Sequence, residues 1–137
     1  GQVGDKGVIT IGENARFIVE DTKHVAKATI HVGRVDIGEF DKNATVNATV
    51  DAKVRAEIAK HHSATHLLDA ALRQVIGDSV AQKGSYVDDT KLRFDYSHSQ
   101  PLTATEKQQV ADLVNSKIQE NLKVEIAASR LNSGRCT

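Results

Sequence analysis

The alternation of apolar and polar positions divides the chain into two parts. From Gly1 to Val50 the apolar runs are short: "GVITI", "ARFIVE", "HVAKATIHVG" and "ATVNATV". They are rich in Val, Ile and Thr, which suit a pleated, half-buried surface. "ARFIVE" and "TVNATV" alternate with period two, as a strand with one buried face does. Turn residues separate the runs, at Gly4-Asp5, at Gly12-Glu13-Asn14 and at Asp41-Lys42-Asn43. About four or five short strands predict a small N-terminal β-barrel-like segment or curled sheet.

Near Asp51 the period changes. "DAKVRAEIAKHHSATHLLDAALRQVIG" places Val54, Ile58, His62, Leu68, Leu72 and Val75 largely on one helical stripe, with one longer step. Asp51 is its expected N-cap and Gly77 its expected stop. Two strands follow, "SVAQKGSYV" and "KLRFDYSH", with Asp88-Asp89 as the hairpin turn between them. Pro101 breaks the chain, and "TATE" from Thr103 to Glu106 is a capping box for a second helix. The apolar face of that helix is Val110, Leu113, Val114, Ile118 and Leu122, and "KVEIAA" reads as a last strand. The expected architecture is α+β: the β segment of residues 1–50 packed, without a linker, on a helix-strand-strand-helix-strand core of residues 51–127. Residues 128–137 read as a tail.

Composition narrows the function classes. Eighteen basic and eighteen acidic side chains cancel, so no global field draws the chain to nucleic acid or membrane. A local RNA-binding face, built from a few residues, stays open. No apolar run approaches a membrane span and no signal-peptide pattern opens the chain, so a cytoplasmic location is expected. The single cysteine, Cys136, excludes an internal disulfide. Methionine is absent, and "GQVGDKGVITI" opens already within turn-and-strand chemistry; both features suggest a piece of a longer protein.

Candidate chemistry centres on "HHSATH". His62 and His66 are spaced i, i+4, so a helix places both imidazoles on one face, where they can share a divalent metal such as zinc. The plain alternative is two ordinary histidines. His62 falls on the apolar stripe, facing core or cleft. His61 lies about 100° around the helix and reads as solvated, or as a support to the other two. A zinc-protease helix needs Glu directly after its first His, and here Ser63 stands there. No Gly-x-Ser-x-Gly elbow and no phosphate-cradling glycine loop are present.

"GQVGDKG", "HSATHLL", "QKGS" and "LRFDYSH", in this order, resemble the editing region of alanyl-tRNA synthetase, from Gly1 to about Ala127. The resemblance implies an aminoacyl-tRNA hydrolase within a ligase, cleaving serine or glycine from the tRNA of alanine. Such errors arise because a hydroxyl or methyl difference gives a binding pocket little discrimination. It also implies a zinc ion held by a His-x3-His helix and a later Cys-x3-His pair. His62 and His66 match the first pair; Cys136 is followed only by Thr137, so the second pair is missing from these residues. By the same resemblance Gln82 lines the editing pocket, as catalytic and substrate-binding residue. Lys83 and Arg93 are the candidates for tRNA phosphate contacts. Two alternatives stay open: a folded but catalytically silent fragment, and the related editing module of threonyl-tRNA synthetase. The β segment that precedes the helix favours the alanyl resemblance over the second.

Overall fold

A computed structural model describes residues 1–123. Strands β1 (Gly7–Ile11), β2 (Ala15–Val25), β3 (Ala28–Ile37) and β4 (Asn47–Val50) come first. Helix α1 (Ala52–Ile76), strands β5 (Ala81–Val87) and β6 (Leu92–Ser97) and helix α2 (Ala104–Gln119) follow. The fold is mixed α+β, and its sheets are antiparallel. The final strand expected at "KVEIAA" and the tail with Cys136 lie outside the described residues.

β1 to β4 form one sheet in the order β3-β2-β1-β4. Among the described residues β3 and β4 do not pair with each other, so of the two expected forms, a barrel-like segment or a curled sheet, the four strands show no closed barrel. "HVAKATIHVG" is not one strand: β2 runs on to Val25, turns through Ala26 and Lys27, and returns as β3. Ala26 takes the turn at a φ of 53°, a left-handed conformation that the usual Asn-Gly or Asp-Gly signal would have announced. The β2–β3 register slips at Arg16–Phe17 and again between Val19 and Asp21, so strict alternation fails along this ribbon.

α1, β5, β6 and α2 form the second layer. Asp51 caps α1 by accepting the backbone N–H groups of Lys53 (3.0 Å) and Val54 (3.1 Å). Gly77 ends the helix at a φ of 102°, a conformation side-chain-bearing residues rarely adopt. The capping box of α2 forms as expected: the Glu106 N–H donates to the Thr103 hydroxyl, and the Glu106 carboxylate accepts the Thr103 N–H at 2.8 Å. Ala71, Leu72, Val80 and Val110 are the buried centre, with Leu68, Val75, Phe94, Tyr96, Leu113 and Val114 packed around them. Ile118 and Leu122, assigned to the same face of the second helix, are exposed; Leu122 lies past the end of α2.

The sheet and this layer meet chiefly along residues 1–6. The backbone of Gly1 and Val3 bonds to Val87, which lays the first residues beside β5 in a parallel bridge at Gln2. Gly4 passes so close to Thr22 of β2 that a Cβ there would strike backbone. Arg55 of α1 grips the Asp5 carboxylate at 2.6 Å through both oxygens, and Lys6 reaches Asp89 at 3.3 Å. The Asp51 N–H donates to the Lys6 carbonyl, so the cap of α1 is tied to the start of the sheet.

Candidate functional site

The residues of α1 that meet the layer are Val54, Ile58, His61, Thr65, Leu68, Leu72 and Val75, each half-buried or buried. Their spacing is four, three, four, three, four, three, an unbroken helical stripe. His61, not His62, belongs to it. His62 is exposed and His61 is half-buried. The sequence reading skipped two polar members of the stripe, which produced its long step from His62 to Leu68.

Both polar members are satisfied where they sit. The Thr65 hydroxyl donates to the His61 carbonyl one turn back, at 2.8 Å. The His61 ring bonds through Nδ1 to the Asp88 carbonyl at 2.8 Å. Asp88 heads the β5–β6 turn. Its carboxylate accepts from the Thr90 hydroxyl (2.7 Å), the Thr90 N–H (2.7 Å) and the Lys91 N–H (2.8 Å). These bonds, that from the Thr90 hydroxyl foremost, hold its pKa far below the ordinary carboxylate range. No buried side-chain polar atom among the described residues lacks a partner.

His62 and His66 stand one turn apart on the next face of α1, ring centres 5.0 Å apart and planes tilted by 51°. They open on a cavity of about 180 Å³ between α1, β5 and the first residues of the chain. Gln82, Ser85, Thr65, Asp69 and Gln2 supply its polar lining, and Val87 and Phe94 its apolar wall. Three residues chosen from sequence therefore converge: His62, His66 and Gln82. Lys83 and Arg93 do not line this cavity. Lys83 falls at the slip in register between Gln82 and Gly84, exposed, and the exposed Arg93 is bonded to Asp95 at 3.2 Å. His98, one residue past the end of β6, is exposed and outside the cavity lining.

Asp69 was missed, although the signal was in the spacing: His62, His66 and Asp69 follow as i, i+4, i+7. Its two oxygens each lie 3.2 Å from the Arg73 guanidinium, so the carboxylate is already engaged. Gln2 and Ser85 carried no such signal, because pairing between segments far apart in sequence brings them in.

In donor type and spacing the two imidazoles fit two positions around a zinc ion. Among the described residues no third His, Cys, Asp or Glu completes a metal-binding group with them. No described helix is long and apolar enough to cross a membrane. No family model matches the chain.

Proposed function

We propose that the chain carries part of an aminoacyl-tRNA editing site, where serine or glycine wrongly attached to the tRNA of alanine is released by hydrolysis of its ester, in the cytoplasm. The observation that carries this reading is the convergence of His62, His66 and Gln82 on one cavity. The two imidazoles lie 20 and 16 positions before Gln82, on a different element.

The residues divide the work by their chemistry. His62 and His66 would hold zinc, which when bound can orient the amino acid, polarise the ester carbonyl or lower the pKa of water. Gln82 offers an amide N–H to a carbonyl and an amide oxygen to a hydroxyl or ammonium group, so it orients the ester. Phe94 and Val87 give the amino-acid side chain an apolar wall. Exposure of both histidines leaves water a direct route to the ester. The tRNA itself would lie outside the cavity, where Lys83 is free of any ion pair among the described residues and can meet a phosphate.

The lack of a third ligand favours a second reading, a folded piece that is catalytically silent. Serine-charged alanine tRNA separates the two. On the editing reading the chain deacylates it slowly with added zinc, and His62→Ala with His66→Ala abolishes the activity. Gln82→Ala should slow it about a hundredfold, the loss typical of a removed transition-state donor. If zinc yields no hydrolysis, or hydrolysis that the double variant retains, the editing reading fails.

A further inference from the structure

We propose that His61 is a positioning residue: its Nδ1–H, donated to the Asp88 carbonyl, fixes the roll of α1 and so aims His62 and His66 at the cavity. The proposal rests on the editing reading only for what that aim serves.

The geometry determines the proton. A carbonyl oxygen only accepts, so the ring nitrogen 2.8 Å from the Asp88 oxygen must carry hydrogen. A neutral imidazole has one ring proton, so Nε2 is then bare. The bond joins residues 27 apart in sequence and lies partly buried, in the middle of a 25-residue helix. Its acceptor is rigid, because the Asp88 carboxylate closes the turn on Thr90 and Lys91 and the Asp88 N–H donates to the Lys91 carbonyl. On the helix side, the Thr65 hydroxyl bonds the His61 carbonyl and is itself buried.

Successive residues turn by about 100° around a helix. Once His61 is held against the hairpin, the directions of His62 and His66 follow. Ile58 and Leu68 on this stripe make non-directional aliphatic contacts, whereas the His61 hydrogen bond is directional and adds to the grip of Arg55 on Asp5 nearer the start of the helix.

The ring nitrogens report the tautomer directly. In the metal-free chain at pH 8, nitrogen–proton correlation spectra of the six histidines should show His61 protonated at Nδ1. His61→Asn places an amide N–H where Nδ1–H was, while His61→Gln reaches too far and His61→Ala offers nothing. His61→Asn should leave the ring signals of His62 and His66 and the side-chain amide of Gln82 in place. His61→Gln and His61→Ala should move all three. Zinc affinity should stay within about twofold in His61→Asn and fall about tenfold in the other two, as for lost support behind a metal ligand.

A bare Nδ1 in the wild-type chain overturns the proposal. So do unmoved signals in His61→Ala, or equal movement in His61→Asn. If His61→Ala does not fold, the wild-type tautomer and the Asn–Gln pair decide. Absence of any zinc response in the wild-type chain sinks the editing reading instead, and the ring signals still judge His61.

Discussion

The outer strand β3 of the sheet and the helix–hairpin layer use similar aliphatic side chains to opposite ends. In the layer, Leu72 and Val80 are 1% exposed. In the sheet, Val35 is 53% exposed, and every residue of β3 is open to solvent. Ile30, Val32 and Ile37 on the same strand are exposed as well. The difference lies in what stands opposite. α1, β5, β6 and α2 cover one another's apolar faces, whereas no described helix packs broadly on the four strands. A period in sequence says which side chains share a face. It does not say whether anything lies against that face. The cavity belongs to the covered part, where Phe94 and Leu68 pack behind it against the core.

The sharpest way to break this comparison is paired truncation. Leu72→Ala should cost about 3 kcal/mol, because a fully buried leucine leaves a cavity that the layer cannot close. Ile30→Ala on β3 should cost about 1 kcal/mol, since 43% of its surface stays in water and its strand adds no side chain to the buried core. Denaturant unfolding of both variants measures the ratio, and equal losses would mean that the sheet is covered after all.

Removal of the helix caps gives a smaller effect. Asp51→Ala and Thr103→Ala should each cost about 1 kcal/mol. They should differ in reach. Asp51 also donates its backbone N–H, which alanine keeps, to the Lys6 carbonyl, so fraying of the uncapped first turn should loosen that tie and speed amide exchange at the start of β1. Loss of Thr103 should speed exchange in α2 alone.

The smallest expected effect is with acid. The Thr103 N–H, and then its hydroxyl, donate to Glu106 and hold its pKa below the usual carboxylate value. A depressed carboxylate stabilises the fold above its unfolded pKa and ceases to do so as pH falls through the folded value. Helix α2 should therefore loosen as pH falls below the ordinary carboxylate range, and Glu106→Gln should flatten that response. Helix amide signals followed through an acid titration check this.

Much of the layer was legible because its signals are local. Asp51, Gly77 and the Thr103–Glu106 pair each act within a few residues of themselves, and each does what its type predicts. The Asp88 turn was legible for the same reason. The sheet was harder to read. Ala26 turns the β2–β3 ribbon without a glycine, and the slip at Val19–Asp21 breaks the alternation. The half-burial of His61 was hidden because its partner is a backbone carbonyl, which has no identity in a sequence. The i, i+4 histidine pair was visible at once, and with Gln82 it converges on the cavity. That Lys83 and Arg93 stand outside this lining depends on a register slip and on a local partner, Asp95.

The central claim is that His62 and His66 act together on one metal ion as an incomplete set of ligands. Titration of zinc into the 137-residue chain, followed at the ring signals of its histidines, tests it most directly. The account predicts that His62 and His66 respond together and saturate, that either single alanine variant abolishes the response, and that dialysis removes the metal. Independent or absent responses would contradict it, and so would one zinc per chain retained through dialysis, which two imidazoles alone do not hold.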